Sequence, residues 1–178
     1  EIVKGQQQFF NNGQKGNIFD IYASDALDIT GFDVNVDDLT SITVEVYYKQ
    51  GSYVGYELDA GAWTSAGSYI VQGMGMDNPT SIVLNTPISL QSGQTYAISI
   101  GTIDGAWNYF NGTTVGSLLA TDGTLTIYEG VGMSNTTFSG SIFSPRCFTG
   151  IINYGSSATV TWSDPFGVIG NTSYIKTI

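Results

Sequence analysis

The chain has no histidine. That absence removes the side chain that most often serves as general base, the usual catalytic triads and the commonest transition-metal ligand. Cysteine occurs once, as Cys147, so no internal disulfide forms and no Cys–His nucleophile exists. Cations are scarce. Five Lys and Arg stand against fifteen Asp and Glu, a formal net charge of −10. Five scattered cations make no footprint for nucleic acid, and the acidic balance repels anionic membranes and polyanions. No run of about 18 apolar residues exists, so no membrane insertion is expected. No basic-then-apolar leader opens the sequence, so any signal peptide is expected to have been removed already or never to have been cloned. Stretches with apolar residues at i, i+3, i+4 and i+7 are missing too, which excludes long amphipathic helices. Charged residues make up only 11% and aromatics 13%, the reverse of a disordered chain.

Period-two alternation is what the chain has instead. In "SITVEVYYKQ" Ile42, Val44, Val46 and Tyr48 share one face, with Thr43, Glu45 and Tyr47 on the other. In "LDITGFDVNV" the apolar set is Leu27 and Ile29, then Phe32, Val34 and Val36. Gly31 shifts the phase by one, which predicts a β-bulge. "QTYAISIG" places Tyr96, Ile98 and Ile100 on one face, and "GTLTIYEG" places Leu125 opposite Thr124 and Thr126. "RCFTGIINYG" reads as one mixed strand carrying Phe148, Ile152 and Tyr154. Further strands are expected over 17–22, 68–72, 81–85, 107–110, 117–120, 159–163 and 173–177.

Turn chemistry bounds these segments: "NNG", "KQGS", "DNP", "QSGQ", "FNGT", "TDGT" and "SDPFG". Many short strands without helices predict an all-β fold, an antiparallel β-sandwich of jelly-roll-like design. "LQSGQTY" sets Leu90, Gly93 and Tyr96 at the spacing of a tyrosine corner, where a hydroxyl bonds back to upstream backbone. The organisation expected is one sandwich module over 1–155. Residues 156–178 are then either its last hairpin or the start of a following immunoglobulin-like module.

The segments "GNIFDIYA", "GFDVNVDD", "VEVYYKQGSYVGYE", "AWTSAG", "FNGTTVGSLLATDGTLTIYEGVG" and "FSPRCFTGIINY" together resemble an uncharacterised all-β module of large secreted or surface proteins of Bacteroidota-type bacteria. The resemblance covers about residues 5–155. It implies a secreted or cell-surface location and a non-catalytic role among neighbouring domains or subunits, and it transfers no active site.

The candidate functional residues all have plainer uses as well. Glu45, Glu57, Glu129 and eleven Asp could supply a glycosidase pair, but turn Asp normally bonds backbone, and enzymatic activity is not expected. No cofactor is expected; calcium is the one plausible metal, with Asp37, Asp38 and Asp77 as oxygen ligands on loops. Trp63, Trp107, Tyr109 and Tyr56 fall in or beside Gly-rich stretches. They are either core rings or platforms stacking on a glycan or surface polymer, with Asn111 and Asp104 as polar anchors. Arg146 is the only arginine. Beside Pro145 and Phe148 it is expected to be buried in a structural ion pair with Asp20, or failing that Glu129, rather than to clamp a ligand. A binding or adhesion module is the function expected first, a structural subunit or spacer of a surface fibre second.

Overall fold

The computed structural model describes residues 2–4, 12–136 and 138–157. Among them there is no α-helix. The predicted strands at 159–163 and 173–177 lie outside the described residues. Two antiparallel sheets pack against each other as a β-sandwich. The smaller has the order β1 (Ile2–Lys4), β14 (Gly150–Ser156), β4 (Leu27–Val34), β7 (Thr80–Leu90). The larger runs β2 (Asn12–Gln14), β9 (Trp107–Asn111), β13 (Ile142–Cys147), β12 (Gly130–Met133), β3 (Gly16–Ala23), β8 (Gln94–Thr102), β5 (Ser41–Gln50), β6 (Thr64–Gln72). The remaining two strands, β11 (Leu125–Tyr128) and β10 (Leu118–Thr121), extend it from the far end of β3.

Alternation builds the space between the sheets. Ile42, Val44 and Val46 of β5, Phe32 and Val34 of β4, Tyr96, Ile98 and Ile100 of β8, and Leu125 and Ile127 of β11 are all buried. The bulge expected at Gly31 is present: the register of β4 shifts between Ile29 and Gly31 against β7. Glycine is required there because a Cβ would stand 2.4 Å from the Ile82 carbonyl oxygen. Where the chain crosses from β7 to β8, the Tyr96 hydroxyl accepts a hydrogen bond from Gln91 N at 3.2 Å, five residues upstream. That is the geometry of a tyrosine corner.

The larger sheet also carries apolar residues on its outer face. Ile18 of β3, Ala97 of β8 and Val131 and Met133 of β12 form a second cluster there. Two connecting segments cover it. One supplies Tyr53 and Trp63, the other Phe138. The Phe138 ring stacks on Trp63 at 5.2 Å and meets Tyr47 edge-on at 5.0 Å. The first segment contains the short 3-10 turn Ala60–Ala62, capped by Asp59 through Gly61 N.

Residues 146–154 are not one strand. β13 belongs to the larger sheet and β14 to the smaller, and Phe148 and Thr149 make the crossing, with Phe148 stacked on Phe19 at 4.7 Å. β12 is not among the strands expected from the sequence. Gly132 lies against the Tyr109 ring, where a Cβ would come within 2.7 Å.

Register fixes the two ends. Gly16 pairs with Gly101 and Ala23 with Gln94. The turns at 35–40, 73–79 and 103–106 therefore share one end, and those at 51–63, 91–93 and 122–124 share the other.

Candidate functional site

Asp37, Asp38, Asp77 and Asp104 are brought to the same end by three separate turns. The turn after β4 is stitched to the turn after β8: Val36 bridges Trp107, and Asp37 N donates to Ala106 O at 3.1 Å. Asp38 Oδ2 accepts from Ala106 N at 2.6 Å, and Asp37 Oδ1 from Asn108 Nδ2 at 2.6 Å. Asn108 also donates to Asn35 Oδ1 at 3.3 Å, and that oxygen accepts from Asp77 N at 3.3 Å. Asp104 accepts from Thr43 N at 2.7 Å, Thr43 Oγ1 at 3.0 Å and Thr102 Oγ1 at 3.3 Å. The Thr43 amide chiefly holds its carboxyl below the usual carboxylate range. Asn35 and Asn108, both buried, are the residues sequence reading missed. A lone Asn in a turn-rich chain looks like surface, and only the tertiary fold makes these two a link between turns.

Beside this network opens a cleft of about 530 Å³, lined by Lys15, Asp37, Met76, Trp107 and Asn108. Lys15 Nζ donates to Gly105 O at 2.8 Å. The cleft thus presents one cation and one carboxylate, each bonded to the fold. Among the described residues no three acidic or cysteine side chains gather to hold a metal. Asp37, Asp38 and Asp77 share an end, but their bonded oxygens meet amide donors, the ordinary use of turn Asp.

The stacking surface expected from Trp63, Trp107 and Tyr109 is corrected by their burial. Trp107 and Tyr109 have no exposure, and Trp63 retains 9%. Trp107 belongs to the core between the sheets and donates from Nε1 to Asn17 Oδ1 at 3.0 Å. Trp63 belongs to the outer cluster at the opposite end and donates to Tyr56 O at 2.9 Å. The two indoles never share a surface. Tyr56 is 44% exposed, but the Lys49 ammonium sits over its ring at 4.5 Å. Asn111 is exposed at the end of β9, remote in register from Tyr56. Asp104 lies with the acidic turns, away from Trp63. The physical reason is that an aromatic ring buries more area than any other side chain, and a sheet apolar on both faces needs rings from its connections as well as its strands.

The ion pair expected at Arg146 is also corrected. Directly paired residues of antiparallel strands point to one face. Arg146 pairs with Gly130, which neighbours Phe19 on the side facing the smaller sheet. Asp20, one residue on from Phe19, points to the other side. There it accepts from Tyr53 N at 3.0 Å, tethering the segment over the outer cluster, and burial pushes its pKa up. Glu129 is taken by the 112–117 turn, accepting from Thr113 N at 2.6 Å, Thr114 N at 2.9 Å and Thr113 Oγ1 at 3.1 Å. Arg146 itself is half-buried, and its Nη1 donates to Pro145 O at 2.7 Å. Cys147 has no exposure, and burial together with the charge of Glu129 pushes its thiol up to about 12, so it is no thiolate at neutral pH.

Comparison with protein-family models and with curated proteins finds no match.

Proposed function

We propose that the chain is a non-catalytic module of a larger secreted surface protein, serving as a rigid structural body among neighbouring domains or subunits. The observation that carries this reading is the burial of Trp63, Trp107 and Tyr109. A glycan-stacking module exposes such rings over a groove, whereas a structural body spends them on packing. The use of Asp20, Asp38, Asp104 and Glu129 as anchors for backbone N–H groups supports the same reading. Each carboxylate fixes a connection that would otherwise cost order to hold. The absence of histidine, and a single thiol with a raised pKa, leave little acid–base or nucleophilic chemistry to place.

The test is a glycan-array screen of the whole chain, followed by a binding isotherm and a thermal melt for Trp63→Ala and Trp107→Ala. The expected result is no saturable glycan binding by the parent and a large loss of melting temperature in both variants. Saturable binding by the parent, abolished in Trp63→Ala at an unchanged melting temperature, would overturn the proposal in favour of a glycan-binding module.

A further inference from the structure

The turns gathered at the 35–40 end of the sandwich each set an exposed apolar residue next to an aspartate: Leu39 follows Asp38, Met76 precedes Asp77, and Ile103 precedes Asp104. Leu39 is 73% exposed, Met76 51% and the nearby Met74 50%. Apolar residues scattered singly over a surface are ordinary, but these are held together. Gly75 N donates to Asp38 O at 2.9 Å and Gly73 N to Thr40 O at 3.0 Å, which zips the 35–40 and 73–79 turns side by side. The Leu39 side chain lies against Gly75, where a Cβ would come within 2.8 Å of its Cδ2, and Met74 and Met76 flank that glycine in the chain. Met76 also lines the cleft beside Asp37, so the apolar surface continues into a recess. Met74 N donates to Thr80 Oγ1 at 3.0 Å and Asp77 N to Asn35 Oδ1 at 3.3 Å. The turns are thereby fixed before anything docks, which lowers the ordering cost of binding.

Charge selects the occupant. Asp37, Asp38, Asp77 and Asp104 share this end, and the donors described above for Asp37, Asp38 and Asp104 are amides and hydroxyls. Asp77 likewise faces the amide of Asn35. Neutral donors orient a carboxylate without cancelling its charge. Lys15 stands alongside, with its ammonium held by Gly105 O. An anionic membrane is repelled by such a rim, and a second copy of the chain brings the same net charge of −10. A segment with both apolar and cationic side chains satisfies the platform and its rim together. Methionine suits the task, because its unbranched, polarisable side chain adapts to the surface it meets. We propose that Leu39, Met74 and Met76 form a docking platform for a cationic, apolar segment of another protein, with Asp37 and Asp77 receiving its Lys or Arg side chains. The proposal rests on the reading of the chain as a structural body and names the chemistry of one neighbour.

The chain has three methionines, so labelling their methyl groups with carbon-13 gives a small, assignable set of signals. Met133, buried in the outer cluster, is the internal control. The full chain is titrated with three flexible synthetic peptides of matched pattern, one of Gly, Leu and Lys, one of Gly, Leu and Glu, and one of Gly, Ser and Lys. The expected result is a saturable shift of the Met74 and Met76 methyls with the Leu–Lys peptide while Met133 stays still. The Ser–Lys peptide should bind about tenfold more weakly or worse, and the Leu–Glu peptide not at all. Leu39→Ser, a change at an exposed position, should weaken the Leu–Lys peptide about fivefold or more. Asp77→Asn should weaken it by a smaller factor, one that high salt erases. Melting temperatures report whether each variant folds, and the three peptides on the unaltered chain decide the matter if neither does. No saturable shift of Met74 and Met76 with the Leu–Lys peptide, equal binding of either other peptide, or undiminished binding by folded Leu39→Ser overturns the proposal. So do methyl shifts that grow with protein concentration in the absence of peptide, which would assign the platform to a second copy. A failure here strikes this surface alone, whereas the structural reading falls on saturable glycan binding that Trp63→Ala abolishes.

Discussion

The two faces of the larger sheet are both apolar, but they are covered by different kinds of chain. The inner face meets another sheet, and its partners are strand residues such as Phe32 and Ile82. The outer face meets connections, and its partners are Tyr53, Trp63 and Phe138. The first core follows from pleat geometry, since alternate residues of two facing sheets must interdigitate. The second depends on single tethers: Asp20 to Tyr53 N, Trp63 Nε1 to Tyr56 O, and a stacked ring pair. A segment that looks like a loop, because it forms no ladder, can therefore carry core residues.

The sharpest way to break this comparison is to delete one indole from each core. Trp107→Ala removes a ring with no exposure and strands the buried Asn17 Oδ1. It should cost about 5 kcal/mol, the upper end for a core aromatic, read from the denaturant midpoint. Trp63→Ala should cost about 3 kcal/mol, the lower end, because Tyr56 O can turn to solvent. Hydrogen exchange should separate the two further. Trp63→Ala should raise exchange over 51–63 while β3 and β8 stay protected, whereas Trp107→Ala should lower protection in both sheets. Equal, global losses in both variants would merge the two cores into one cooperative unit.

A smaller effect is expected at the lock of the inner core. Tyr96→Phe leaves the Gln91 N–H without its acceptor and should cost about 1 kcal/mol with the fold intact. The smallest effects are those of pH, and they have opposite signs. Asp104 has its pKa lowered by the Thr43 amide, so its contribution is full above the ordinary value of 3.8 and is lost as pH falls through the lower folded value. Asp20 has its pKa raised by burial, so its ionisation weighs against the fold as pH rises from 3.8 through the higher folded value. Asp104→Asn should flatten the acid limb of melting temperature against pH. Asp20→Asn should remove the loss above 3.8 and expose the cost of the weakened Tyr53 tether.

Much of the inner core was legible in the sequence, and for a simple reason. β4 and β5 face solvent or polar neighbours on one side, so apolar and polar residues alternate, and even the bulge at Gly31 shows as a slip in that alternation. β3 and β8 are buried on both faces, which blurs the alternation that the outer cluster would have revealed. The 51–63 segment forms no ladder, so its Tyr53 and Trp63 carried no periodic mark. The acidic turns were legible as turns, but not the buried Asn35–Asn108 link between them. The Arg146 pairing was misread for a geometric reason: Asp20 sits in the right sheet on the wrong face, a one-residue distinction that needs the register of β12 on β3.

The central claim, that the 51–63 connection is a layer of core and not a binding loop, is tested most directly by hydrogen exchange at the indole N–H groups. If Trp63 Nε1–H and Trp107 Nε1–H are both slowed far below the rate of a free indole, with Trp107 the slower, the outer face is covered as described. If Trp63 exchanges at the free rate while Trp107 remains protected, the segment is open to solvent, and the claim fails.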